Sequence, residues 1–215
     1  MHKGNTLISI LKTIFWMGFI LSFSIAFPIV CRPFYYLHIN FLKLPEITGY
    51  TYQQIKQAFD EMLSFGLYGG EFSTGVLKWS ESGRSHFVDC AGLFRLDFTV
   101  LFISVVGLAV CSVLEKRTGK KQSSARGSGF WAGVILLVCF IMVSLYAARD
   151  FSAFFVLFHR IFFPGKSNWY FDADMDEIIN ILPEIYFRNC AISIVVLLMT
   201  GCVVLILKDR KKNEK

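Results

Sequence analysis

The sequence predicts a membrane all-α core: four transmembrane helices, both termini inside, under a small mixed α/β extracellular cap. Three observations predict it. Four apolar runs are long enough for a hydrocarbon layer of about 30 Å, which takes ~20 helical residues. The composition is 54% apolar with 23 phenylalanines and only 18% charged residues, unlike an ordinary soluble domain. Lysine and arginine cluster between and beyond the runs in a way that sets an orientation.

The first run, Leu7–Cys31, exceeds the ~7–15 apolar residues of a signal peptide and is followed by CRPFYY, with no small-x-small cleavage site. It reads as a retained anchor. The other runs are Phe98–Leu114, Phe130–Ala148 and Cys190–Leu207. Loop 115–129 carries Lys116, Arg117, Lys120, Lys121 and Arg126, and tail 208–215 is KDRKKNEK. Both read as cytoplasmic, and Lys3 and Lys12 agree. Residues 32–97 and 149–189, nearly balanced in charge, then form the outer cap. The net charge of +6 is thus a signal of topology and not of nucleic-acid binding, which asks for a clustered basic face.

Within the cap, Thr51 starts a helix whose Tyr52, Ile55, Phe59, Met62 and Leu63 follow the 3.6-residue period, and Gly69-Gly70 stops it. STGVLKW (73–79) reads as a short strand and SESGRS (80–85) as a turn. HFVDCAGLF leads into the second span. The second cap segment opens with FSAFFVLFHRIFF, continuous with the third span, and breaks at Pro164-Gly165. Asp174 and Glu177 have capping-box spacing for a helix with Ile178, Ile179 and Leu182. QSSARGSG is a plain linker.

Chemistry concentrates on three outer histidines, His38, His86 and His159; His2 lies in the cytoplasmic N-terminal segment. His86 precedes the second span and His159 follows the third, so the two meet at one boundary. They form an acid–base pair or two interfacial rings bonded only to backbone. Asp89 orients His86 or caps a helix. Arg160 snorkels to a phosphate or stabilises an oxyanion. Nine aromatic residues fall within 151–171, more than a headgroup belt needs, and suit an acyl-lined pocket. DADMDE lacks the glycine and glutamate of a calcium loop, and no H-x-x-x-H occurs, so no metal and no cofactor are expected. With no P-loop, dinucleotide fingerprint or G-x-S-x-G elbow, a nucleotide partner and a serine lipase are disfavoured. There is no C-x-x-C; a disulfide among Cys31, Cys90 and Cys190 stays open.

Two stretches, SGRSHFVDCAGLF (82–94) and FHRIFFPGKSNWYFDADMDEIINILPEIYF (158–187), resemble the Lit family, the lipoprotein intramolecular transacylases of Gram-positive bacteria. Cys90 stands where that pattern has valine, and Tyr186 where it has phenylalanine. The resemblance implies a multi-pass protein of the bacterial cell membrane with catalytic His86 and His159 on the extracellular side. Asp89, Arg160 and Ser82 would support them. Phe87, Phe155, Phe158, Phe162, Trp169 and Tyr170 would line the substrate pocket. The implied reaction moves the sn-2 acyl chain of a diacylated lipoprotein to its N-terminal cysteine α-amino group. Its partners are that lipoprotein and membrane lipids. An imidazole near pKa ~6.5 can take the proton of an α-ammonium near ~8 at modest cost. His86 is expected as the base, oriented by Asp89, with His159 polarising the ester or protonating the leaving oxygen; the reverse stays open. A His-dependent lipid hydrolase and a non-catalytic lipid-binding module are the alternatives.

Overall fold

The computed structural model describes residues 3–118 and 126–213, with side chains over 6–117 and 126–209. Every regular element among the described residues is a helix: α1 Lys3–Val30, α2 Arg32–Phe41, α3 Leu44–Thr48, α4 Tyr52–Tyr68, α5 Glu81–Thr118, α6 Ser128–Arg149, α7 Phe151–Phe162, α8 Ile178–Ile181 and α9 Glu184–Asn213. Four carry stretches long and apolar enough to cross a membrane: Thr6–Val30, Glu81–Arg117, Ser128–Arg149 and Glu184–Asp209. Their outward faces expose residues such as Phe102, Leu145 and Ile192, which suits helices whose solvent is lipid. Of the basic residues that set the expected orientation, Lys3, Lys120, Lys121, Arg210, Lys211, Lys212 and Lys215 lie outside the described side chains, as does the 122–125 half of the 122–129 linker.

The chain packs as two compact units. One comprises the residues up to Ala26, Asp97–Tyr146 and those from Ser193 onward. Its core gathers Ile20, Ala132, Leu136, Leu198, Cys202 and Leu205. Gly133 faces the Cys202 carbonyl and Ile206, and Gly107 faces the Phe15 ring, the close helix approach that small residues permit. Asp209 accepts from the Phe130 N–H at 2.8 Å, closing the first turn of α6.

The other unit comprises Phe27–Leu96 and Ala147–Ile192 and holds every histidine of interest. Helix α4 forms as its periodicity predicts. Thr51 and Gln54 make a reciprocal capping box, Ile55, Ala58, Phe59, Met62 and Leu63 are buried, and Gly69 and Gly70 leave in positive φ. Its buried face meets Tyr35, whose ring stacks on Phe59 at 3.7 Å and whose hydroxyl donates to the Ile181 carbonyl at 2.8 Å.

Four expectations are corrected. The cap is not mixed α/β, because 73–79 forms a turn: Gly75 has φ 61°, and buried Thr74 donates its hydroxyl to the Leu77 carbonyl at 2.8 Å. Local side-chain bonding of this kind replaces a ladder. The next backbone groups pair with Glu177 instead, Lys78 N–H to its carboxylate at 2.8 Å and Glu177 N–H to the Lys78 carbonyl at 3.0 Å. SESGRS is not a turn but the start of α5. Asp174 does not cap α8, a single turn preceded by Glu177 with no side-chain cap. Finally, α7 does not continue α6: Asp150 is extended, and its carboxylate caps the new helix by accepting from the Ala153 N–H at 2.9 Å.

The α5 start depends on Asp176. Ser80 is the N-cap: its Oγ accepts from the Gly83 N–H at 3.0 Å, satisfying one orphan donor of the first turn. Buried Asp176 accepts from the Ser80 N–H at 2.7 Å and from the Ser80 hydroxyl at 2.8 Å. A Cβ at position 83 would collide with this carboxylate and press on the Phe171 ring, so glycine is needed for the approach. Asp176→Ala strips both acceptors from Ser80, and at about 1.5–3 kcal/mol per bond to a charged group it should lower the thermal midpoint of the detergent-solubilised protein by several degrees. Asp176→Asn, which keeps one acceptor, should lose less; equal midpoints for wild type and the alanine variant would refute the anchor.

Candidate active site

His86 lies in the second turn of α5 and His159 in the last turn of α7. Their ring centroids are 5.8 Å apart and tilted by 33°. Both are buried, at 5% and 7% exposure. The Ser80–Asp176 anchor fixes the turn that carries His86. The α7 C-terminus fixes His159, with the Phe163 N–H donating to its carbonyl at 2.8 Å. His159 Nδ1 lies 2.7 Å from the Phe155 carbonyl. A carbonyl only accepts, so Nδ1 carries the proton, and in the neutral ring the bare lone pair sits on Nε2. Burial lowers the His159 pKa below the ordinary imidazole value, and the bond to Phe155 opposes this in part. His86 Nδ1 is buried with no hydrogen-bond partner, while its Nε2 faces Cys90 Sγ at 3.4 Å.

Aromatic rings wall the pair. Phe163 stands 4.9 Å from His86 and 5.7 Å from His159. Phe171 stands 5.5 Å from His86. Trp169 stacks on His159 at 4.7 Å, and Phe155 lies 4.3 Å from the same ring. The loop after α7 is shaped for this. Gly165 takes φ 73°, and the Trp169 indole N–H donates to the Lys166 carbonyl at 2.9 Å.

Asp89 does not hydrogen-bond His86. Its oxygens take the Lys166 ammonium and the Asn168 amide, the latter at 3.0 Å, and Asn168 also reaches Ser85 Oγ at 3.3 Å. It clamps the 163–171 loop to α5 instead of orienting an imidazole. Of the other sequence-predicted residues, Phe155 and Trp169 touch His159. Phe87 stacks on Phe72 at 5.3 Å and flanks Phe171. Phe158 edges His159 at 5.6 Å but is partly exposed and lies tilted against Phe162, which is exposed. Tyr170 is exposed and covers Trp169 at 3.6 Å. Arg160 and Ser82 are exposed. Phe163 and Phe171 stand in the aromatic strip, which was the signal for them. Lys166, Asn168, Gly83 and Asp176 gave none, because only the fold brings them to α5.

His38 stands apart, with both nitrogens engaged: Nδ1 with the Phe34 carbonyl at 2.6 Å and Nε2 with the Asn189 amide at 3.0 Å. No disulfide joins Cys31, Cys90 and Cys190 to one another. Among the described residues no cluster of three or more His, Cys, Asp or Glu side chains is placed to hold a metal.

The sequence pattern of lipoprotein intramolecular transacylase Lit matches residues 10–187. The chain belongs to the Lit family. The in meso structure of Lit from Bacillus cereus matches it with a TM-score of 0.90 at 23% identity, covering 100% of both chains. Two structures of histidine variants of that protein also match. The histidine-to-alanine variant has a TM-score of 0.81 at 22% identity, covering 99% of this chain and 97% of that one. The histidine-to-arginine variant has 0.80 at 22%, covering 97% and 92%. At these identities the likeness is one of fold, and it makes this Lit-family chain a multi-pass membrane protein. No curated protein matches it.

Asp89→Ala should release the loop without harming α4. Lys166 is about half exposed, so the clamp is worth on the order of 1 kcal/mol after solvent screening. Hydrogen–deuterium exchange should then quicken several-fold across 163–171 and stay unchanged across 52–68; unaltered loop exchange would refute the clamp.

Proposed function

We propose that this Lit-family chain moves the sn-2 acyl group of a diacylglyceryl-cysteine lipoprotein onto that cysteine's own α-amino group. The carrying observation is the pair of buried imidazoles, 5.8 Å apart among aromatic rings, one of which offers a bare nitrogen. His159 Nε2 takes a proton from the α-ammonium. The freed amine attacks the ester carbonyl carbon to give a cyclic tetrahedral intermediate, and His86 stabilises the developing oxyanion. The carbon–oxygen bond to sn-2 breaks as the glyceryl oxygen receives the proton from His159. The neutral His159 then takes the second ammonium proton from the new amide nitrogen and passes it to solvent. The product is an N-acyl, lyso-glyceryl lipoprotein. The reverse assignment of roles, expected from Asp89, loses its support because Asp89 is bound to the loop.

Ester to amide is downhill, and nucleophile and ester share one molecule. The protein's task is mainly to fold the substrate onto itself, an effect that reaches roughly 7–11 kcal/mol in well-oriented intramolecular reactions. The aromatic rings are proposed as the acyl-binding wall, with both termini cytoplasmic and the histidine pair on the extracellular side.

Expression in a host with diacylated lipoproteins should leave the mass of the N-terminal lipopeptide unchanged, with fragments showing N-acylation and one remaining O-acyl chain. Released fatty acid and a lower mass would indicate a hydrolase, and unaltered diacyl fragments a non-catalytic module. His86→Gln and His159→Gln should each reduce turnover by about 10²-fold or more, the usual contribution of a positioned acid–base group.

The pH dependence has a definite sign. Because the His159 pKa is lowered, its free-base form persists below the usual imidazole range near ~6.5. The acid limb of turnover on a synthetic diacylated lipopeptide should therefore fall below pH ~6.5. An acid limb above the ordinary imidazole value would exclude His159 as the base.

A further inference from the structure

Cys90 lies four residues after His86 on α5, so the two side chains share a helix face, and Cys90 Sγ lies 3.4 Å from His86 Nε2. Two arrangements are compatible with that distance. Either the thiol donates to a bare Nε2, or an Nε2–H donates to sulfur. Sulfur is a weak acceptor and an imidazole lone pair a good one, so the first is favoured. If Nε2 accepts, the single proton of the neutral ring sits on Nδ1. That atom is buried and has no hydrogen-bond partner, although buried donors are almost always paired. Such an orphan calls for an explanation, and a ligand oxygen arriving at that atom is one.

We infer that Cys90 is a positioning residue: its thiol holds His86 in the Nδ1–H form, so that His86 presents a hydrogen-bond donor to the substrate carbonyl. The backbone does the opposite at His159. There the Phe155 carbonyl accepts from the Nδ1–H and leaves Nε2 bare. One ring is preset to donate and the other to accept before substrate arrives. The inference rests on the proposed acyl transfer for what the donor is used for, but the tautomer it assigns exists without any substrate.

The test separates the two. The full chain, labelled with ¹⁵N-histidine and held in detergent micelles, gives ring-nitrogen shifts that distinguish Nδ1–H from Nε2–H; His86→Gln identifies the His86 signals. The expected result is Nδ1–H at His86 in the wild type and in Cys90→Ser, and a mixture with Nε2–H in Cys90→Val. Turnover of a diacylated lipopeptide should show kcat reduced about five- to tenfold in Cys90→Val with KM little changed, and largely restored in Cys90→Ser. An Nε2–H ring in the wild type overturns the inference without any variant having to fold. A folded Cys90→Val with unchanged tautomer and unchanged kcat overturns it as well. Absence of acyl transfer by the wild type defeats the proposed function while leaving the tautomer measurement to decide on Cys90.

Discussion

Asp176 and Ser80 make the contact on which the histidine-bearing unit depends. A helix N-terminus leaves four backbone N–H groups without partners, and burying one demands a specific remedy. Ser80 closes the first turn of α5 with its Oγ while donating its own N–H and hydroxyl to Asp176. The carboxylate also lies at the positive end of the helix dipole. Its own segment is a tight turn, with the Asp176 N–H on the Asp172 carbonyl at 2.7 Å. The result is that residues from far down the chain set where α5 begins, and hence where His86 points.

A second layer follows from that start. With Gly83 against Asp176 and Phe171, the Phe171 ring lies over the turn bearing His86. Asp89, one turn further along, holds Lys166 and Asn168. The 163–171 loop is thereby tied to α5, and Phe163 and Trp169 are brought against the two imidazoles. The Asp176 link is polar and buried and the Asp89 link polar and partly exposed, while the surfaces they bring together are aromatic. Neither imidazole forms an ion pair among the described residues. The aromatic surround is therefore held by charges that do not pair with the two imidazoles.

Much of this was legible in the chain. The four apolar runs announce themselves by length, and α4 by Thr51 and the period of its buried face. His86 and His159 could be singled out because two imidazoles beside spans on one boundary need a reason to be there. What escaped was the polar scaffolding. Ser80 followed by Gly83 reads as a turn as readily as an N-cap, and the choice falls to Asp176, 96 residues away. Asp89 beside His86 looks like an orienting carboxylate until Lys166 and Asn168 compete for it. STGVLKW has a strand's alternation, but Thr74 closes a turn and Glu177 takes the backbone groups that a neighbouring strand would need. In each case a long-range hydrogen bond outweighed a local pattern, and such bonds leave no periodic trace.

The aromatic box also bears on which reaction the pair can favour. An imidazole that can deprotonate an α-ammonium can equally activate water, so a bare Nε2 does not by itself separate acyl transfer from hydrolysis. The difference lies in what reaches the carbonyl. Phe155, Phe163 and Trp169 crowd His159 with ring faces and edges that offer water no strong hydrogen-bond partner, while Phe163 and Phe171 do the same for His86. A nucleophile tethered to the acyl donor arrives at an effective concentration that water at the same point cannot match once it is excluded. On the proposed reaction, selectivity for amide formation comes from the walls and acid–base competence from the two rings. Loosening the Asp89 clamp would admit water before it disarmed either histidine, so hydrolysis should appear as the first failure of a damaged loop.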